Sequence, residues 1–253
     1  MRWTLEDKAR LRQLYLEARL PIAEIARVLG RSTASINTVL TPFGILRQRS
    51  PHKLRLPTQM TPALARIHAH VCGDGHLIYT REKDDYGYLK PYRQGYYRKR
   101  YGIAYTNKNP ALIKEFTCDA QQVFGLQPRY EASKWVVVVK SKAVWELMRH
   151  LGAGRSREWS IGSEVVQAPL EAQLAWLRAF FDDEAHFDPH GRIRVRSVNR
   201  AGLEQTARML RRFVPCHLTP TAGLYPDHSC YLVVNKQFRE RFLRMVGSLK
   251  CPA

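Results

Sequence analysis

Apolar positions recur at helical spacing from Trp3 to about Gly44, with Leu5, Ala9, Leu11, Leu14 and Tyr15 on one face of a first helix. Pro21 opens a second helix over residues 22–29, and Gly30 closes it. Ser32 caps a third, from Thr33 to Leu40, before Pro42 and Gly44 stop the pattern. A polar, basic stretch bracketed by Pro51 and Pro57 follows and reads as a linker over residues 47–59. Beyond it the periodicity alternates between helix and strand. Helices are expected at Pro110 to Phe124, Lys142 to Leu151, Ala201 to Phe213 and Lys236 to Val246. Strands are expected near His76 to Thr80, Arg100 to Thr106, Trp135 to Lys140, His186 to Asp188, Arg192 to Ser197 and Cys230 to Val234.

Two further helical stretches each end in an acid: Ile67-His68-Ala69-His70-Val71-Cys72-Gly73-Asp74-Gly75, and Leu177-Arg178-Ala179-Phe180-Phe181-Asp182-Asp183-Glu184-Ala185. The spacing that carries Asp74 onto Glu184 also carries Ala65 onto Ala175 and Ala69 onto Ala179. Residues four apart share a helix face, so each stretch presents a small-residue strip on which another helix can approach closely. Packed together, the two helices would bring Asp74 and Glu184 side by side. Paired carboxylates in a basic chain point to a metal site for phosphodiester chemistry.

The bulk charge favours the same direction. The 253 residues hold 41 Lys and Arg against 22 Asp and Glu, a formal net charge of +19, which calls for a polyanionic partner. At 45% hydrophobic residues the chain can bury a core, so it is not a basic tail. Five cysteines without a CxxC pair point to a reducing, intracellular (cytoplasmic) setting. The longest strongly apolar run, Trp135 to Val139, is strand-length, so no membrane role is expected.

The first helices form a helix, a glycine-containing turn and a helix, the arrangement that places its last helix in the major groove. The words Trp3-Thr4-Leu5-Glu6-Asp7 and Ile25-Ala26-Arg27-Val28-Leu29-Gly30-Arg31-Ser32 resemble small three-helix domains of the Myb-like and sigma-like kind. On that reading Ser32, Thr33, Ser35, Asn37 and Thr38 face the groove, with Ala34, Ile36 and Val39 supporting the helix. An ordinary three-helix interaction module is the alternative.

Farther along, the order αββαββα is expected twice, and a second spacing carries Gly152 onto Gly247 and Arg155 onto Lys250. With the two acid-ending motifs and the bridge Leu151 to Gly162, residues 60 to 253 resemble the single-chain LAGLIDADG homing endonucleases. The resemblance implies an α+β fold of two pseudo-symmetric repeats, 60–160 and 161–253, with saddle-shaped antiparallel sheets, preceded by a helix-turn-helix domain at 1–46. It also implies a monomer that makes a metal-dependent double-strand break in a long double-stranded DNA target. A catalytically inactive regulator of the same fold pairing and an intron RNA maturase remain as alternatives.

Carried over residue by residue, Asp74 and Glu184 become the metal-binding carboxylates for Mg²⁺ or Mn²⁺, with Gly73 and Asp183 beside them in the metal site. Asp182 and Asp183 compete with Glu184 for that role. The basic residue expected near each scissile phosphate falls on Arg155 and Lys250, and a guanidinium at Arg155 limits it to electrostatics. His68, Cys72 and His76, spaced by four, offer a rival zinc reading, against packed side chains.

The strands would carry specificity. The stretch from Arg81 to Arg100 interleaves aromatics with positive charge, and its Arg81, Arg98 and Arg100 are candidate DNA contacts; a solvated loop is the alternative. Lys140 joins them. Arg192, Arg194 and Arg196 alternate with Ile193 and Val195, so a strand directs all three to one face. Asn107 and Asn199, each just past a strand, are candidate phosphate or water contacts.

Overall fold

A computed structural model describes residues 3–18, 20–40, 54–83, 97–220 and 229–250. The basic stretch 47–53, the middle of the Arg81–Arg100 ribbon (84–96), the boundary at residue 46 and the side chain of Arg98 lie outside the described residues. The chain divides into two compact units, Met1–Lys53 and Leu54–Ala253.

In the first unit, α1 (Leu5–Arg12) opens with a capping box in which Thr4 Oγ1 accepts from Asp7 N–H and the Asp7 carboxylate accepts from Thr4 N–H. It widens at its end into a π-helical turn, Gln13–Glu17, which the apolar spacing does not anticipate. Helix α2 (Ile22–Leu29) is closed by Gly30 at φ +60, a left-handed cap that costs glycine no Cβ clash. Helix α3 (Thr33–Leu40) follows, with Ser32 Oγ accepting from Ser35 N–H. Leu11, Tyr15, Ile25, Ile36 and Leu40 form the buried core. Arg31 ties the turn back to α1 through a 2.8 Å ion pair with Asp7.

The second unit runs α4 (Pro62–Cys72), β1 (Gly75–Lys83), β2 (Tyr97–Thr106), α5 (Pro110–Phe124), β3 (Arg129–Glu131), β4 (Val136–Val139) and α6 (Lys142–His150). After a short helix α7 (Ser163–Val166), the same order returns as α8 (Leu170–Glu184), β5 (Ala185–Phe187), β6 (Ile193–Ser197), α9 (Arg200–Leu210), β7 (His217–Pro220), β8 (Cys230–Val234) and α10 (Arg239–Met245). Each half folds its strands into a four-stranded antiparallel sheet, in the orders β1-β2-β4-β3 and β5-β6-β8-β7. Four of these helices begin on side-chain caps that satisfy early N–H groups: Thr61 for α4, Asn109 for α5, Ser141 for α6 and Asn199 for α9.

One hydrophobic cluster spans both halves, anchored by Tyr105, Phe116, Phe124, Trp176, Phe180, Phe181 and Phe242. Burying side chains of this size contributes about 1.5–3 kcal/mol each. Trp135 departs from its expected place in a strand. It sits at φ +54 at the end of a tight turn, and the strand starts at Val136. The bridge between the halves is packed through Trp159, whose ring lies 5.2 Å from that of Phe180. A Cβ at Gly202 would come within 2.5 Å of the Trp159 ring, so only glycine lets α9 approach there.

Candidate functional site

Helices α4 and α8 are nearly buried along their lengths and pack against each other. Ala65, Ala69, Ala175 and Ala179 are all buried, as the small-residue strips require. At their C-terminal ends the helices approach closely: a Cβ on Gly73 would meet the Asp183 side chain at 3.0 Å. Asp74 therefore leaves α4 just where Glu184 completes α8.

Both acids are raised by burial and by neighbouring carboxylates. Partial removal of water, then the charge of Asp183, raises the Asp74 carboxyl to about 6, against the pull of Lys250, His70 and Asn107. Glu184 rises to about 7 through burial, then through the charges of Asp74 and Asp183, with Lys250 opposing. Asp74 nonetheless keeps an exposed face and Glu184 is half-buried. Repelling oxygens open to solvent are a donor set that a hard divalent cation stabilises, and Mg²⁺ tolerates two carboxylates because it keeps several waters. Among the described residues no group of three or more His, Cys, Asp or Glu side chains is arranged to hold a metal ion, so further donors would be water, main-chain or phosphate oxygens.

The carboxylates of the neighbouring acids are engaged by other side chains. Asp183 accepts from Tyr105 Oη at 2.6 Å, lies 2.8 Å from His70 Nδ1 and has a fully buried side chain. Asp182 is buried too, and accepts from Ser248 Oγ at 2.6 Å, Leu249 N–H at 3.0 Å and Arg178 at 3.1 Å. These bonds hold the chain so that Lys250 Nζ donates to the Asp183 carbonyl at 3.0 Å. Gly73 contributes close approach; its N–H donates to Ala69 C=O.

A buried charge network supports this end of the helices, and no single stretch of sequence shows it. Arg66 on α4 grips Asp119 on α5 at 2.6 Å and 2.7 Å, while Arg178 on α8 pairs with Glu115 on the same helix. His70 stands between Asp183 and Glu115, whose Oε1 is 3.6 Å from its Nε2. Burial alone would lower His70, but the charge and hydrogen bond of Asp183, with Glu115 behind, lift it to about 9. Two residues earlier, burial lowers His68 to about 4, and its Nδ1 accepts from Trp176 Nε1 at 2.9 Å. His68 and Cys72 are thus packed side chains and His76 is exposed.

The candidate cations split. Beside Glu184 a recess of about 300 Å³ is lined by Gly73, Ser156, Arg196, Ser197 and Ser229. The cation there is Arg196; Arg155 lines a different recess, beside Tyr79 and Trp145. In β6 the alternation holds, with Ile193 and Val195 buried, but Arg192 lies just before the strand and bonds Asp188 at 2.9 Å. Arg194 also faces Asp188, at 3.6 Å, and lies over Tyr231. In the first sheet Arg100 pairs with Thr80 and shares a recess of about 420 Å³ with Ile78 and Lys140. Arg81 alternates onto the other face, where it stacks 4.1 Å from the Tyr97 ring centroid.

The two asparagines are not equivalent. Asn107 Nδ2 donates to Asp74 Oδ2 at 2.8 Å. Asn199 is buried, donates to the Trp159 carbonyl at 2.6 Å and accepts from Gly202 N–H, so it is a structural cap and not a phosphate contact. In the first unit Ser35 is taken up by Trp3 Nε1 at 2.9 Å, whereas Ser32, Thr33, Asn37 and Thr38 are exposed. Ala34, expected in support, is exposed with them.

No family model and no curated relative matches the sequence. Solved structures do match. Variants of the homing endonuclease I-DmoI superpose at TM-score 0.56 and 17% identity over 74% of this chain and 95% of theirs. I-DmoI in complex with DNA and Mn gives 0.55 and 16% over 74% and 96%. Full-length DUF199/WhiA from Thermatoga maritima matches at 0.48 and 9% over 76% and 57%. No helix among the described residues is long and apolar enough to cross a membrane. Two four-stranded antiparallel sheets flanking paired helices are the LAGLIDADG fold of I-DmoI, and at these identities it is the fold that the likeness shows.

Proposed function

We propose that the protein is a sequence-specific DNA endonuclease that cuts both strands of a long duplex target with a divalent metal, acting as a monomer. The carrying observation is the convergence of Asp74 and Glu184 at the ends of two packed helices, both raised first by burial and then by neighbouring carboxylates, with Lys250 alongside. The matching I-DmoI structures hold DNA with Mn or Ca, in keeping with this reading.

Asp74 and Glu184 would hold Mg²⁺ or Mn²⁺, which when bound supplies Lewis acidity and lowers the pKa of a water. The chain's own residues do the rest. Asn107 fixes the orientation of the Asp74 carboxylate, and Lys250 and Arg196 place positive charge where phosphate oxygens would lie. Arg100, Lys140, Arg194 and Arg196 project from the sheets toward the duplex backbone and base edges. The first unit would serve as a helix-turn-helix arm, with Ser32, Thr33, Asn37 and Thr38 on its groove-facing side.

The test is a cleavage selection against a genomic or randomised duplex library with Mg²⁺, run beside Asp74→Asn and Glu184→Gln. The selected site should be cut by the parent and bound but left intact by both variants. Bound but uncut DNA with the parent as well would favour a regulator of the same fold, and full cutting by either variant would remove the site assignment.

A further inference from the structure

Three aromatic rings lie together on the face of the first sheet opposite Arg100 and Thr80. Tyr79 and Tyr101 are direct cross-strand partners with ring centroids 5.2 Å apart, and Trp145 of α6 lies 5.3 Å from Tyr101 and 6.4 Å from Tyr79. The cluster is not closed over, since Tyr79 remains 51% exposed. The Arg149 guanidinium sits 5.3 Å from the Trp145 ring centroid, and Lys142 Nζ lies 5.8 Å from that of Tyr101. Tyr79, Trp145 and Arg149 line a recess of about 610 Å³ that runs past the edge strand β1 to His76 and Ser160. Trp145 Nε1–H is buried with no acceptor among the described residues.

These features select a ligand. A recess of this size admits a nucleotide or a small molecule but not a double helix. An aliphatic ligand would leave Arg149 unused, and an acidic peptide would not exploit rings at stacking distance. An unpaired nucleotide offers a π face to the aromatic rings and a phosphate to the guanidinium. We propose that this recess binds an unpaired nucleobase of a single-stranded nucleic acid, with Tyr79 and Trp145 as the stacking platform and Arg149 at the neighbouring phosphate. The stacking platform stands apart from the Arg100 face, because strand alternation puts Tyr79 and Tyr101 on the opposite side of the sheet.

The test uses the full chain without metal, so that it does not depend on cleavage. Labelled oligo(U) and oligo(dT) are titrated by fluorescence anisotropy, each with and without random-sequence duplex as competitor. Tyr79→Ala and, separately, the exposed Arg149→Gln should weaken single-strand binding about tenfold or more, the scale of one lost stack. Tyr79→Phe should retain it, and duplex affinity should hold in all three. Tighter binding of one oligomer tells RNA from DNA, and a preference either way supports the site. Unchanged single-strand affinity in both weakening variants, a matching loss of duplex affinity, or full displacement of the oligomer by duplex would overturn it.

Discussion

Asn107 reaches across 2.8 Å to hold the Asp74 carboxylate, whereas its counterpart Asn199 turns inward to cap α9 and bond the Trp159 carbonyl. The two halves share an element order, yet their acids have different company. Asp74 has a fixed amide donor; Glu184 faces Arg196 and three serines.

That difference should appear in a matched pair of variants. Asn107→Ala frees the Asp74 carboxylate while removing little packing, so it should slow cutting of one strand about tenfold and let nicked plasmid accumulate. Asn199→Ala removes a buried cap, so its main effect should be a stability loss of about 0.5–2 kcal/mol. Gel analysis of nicked and linear plasmid, beside denaturation curves, separates the two. Equal strand ratios in Asn107→Ala and parent would show that the amide does not orient the acid.

The His70–Asp183 pair gives a dependence on pH. The folded-state pKa of His70, about 9, lies above its ordinary value of 6.5. Its stabilising contribution is therefore complete below about pH 6.5 and lost as pH rises toward 9. His68, lowered to about 4, acts in the opposite sense, and its contribution fades as pH falls from 6.5 toward 4. Urea denaturation of the parent should show stability declining between pH 6.5 and 9, and His70→Gln should flatten that decline. Asp183→Ala leaves a buried charge without its partner and should cost about 3–5 kcal/mol. A His70→Gln profile parallel to the parent would show that the pair is not ionised as described.

The first unit can be removed on its own. Deleting residues 1–53 takes away Ser32, Thr33, Asn37 and Thr38 but neither acid. The DNase footprint on the selected target should shorten on one side and affinity should fall, while metal-dependent cutting persists at higher protein concentration. An unchanged footprint would assign these helices to protein contact or to support of the core.

The order of elements was legible because it rests on short-range signals: the cap at Ser32, the closing glycine at 30, and the alternation of Ile193 and Val195 with arginines. The pairing of Asp74 with Glu184 was legible because each motif repeats the same alanines. What escaped depends on where distant chains meet. Nothing local tells that Asp183 spends its carboxylate on His70 and Tyr105, that Arg196 and not Arg155 stands by Glu184, or that Asn107 and Asn199 part company. The one local trace of the buried network was the helical spacing of Arg178 and Asp182.

The alanine strips offer the most direct test that the two acids share one centre. Ala69 and Ala179 are fully buried on α4 and α8, and the helices are in close approach at Gly73 and Asp183. A leucine at either position has no room unless the helices separate, and overpacking of this kind costs about 1–3 kcal/mol. Separation would also move Asp74 away from Glu184, so cutting should fall by more than the loss of folded protein explains. Ala132 lies on the short turn before β4, where no helix must approach, and the same change there should be mild. Melting temperature and single-turnover cleavage, measured on Ala69→Leu, Ala179→Leu and Ala132→Leu, give the comparison. If the two motif variants melt and cut like the Ala132 variant, close approach of the helices is not what holds the acids together.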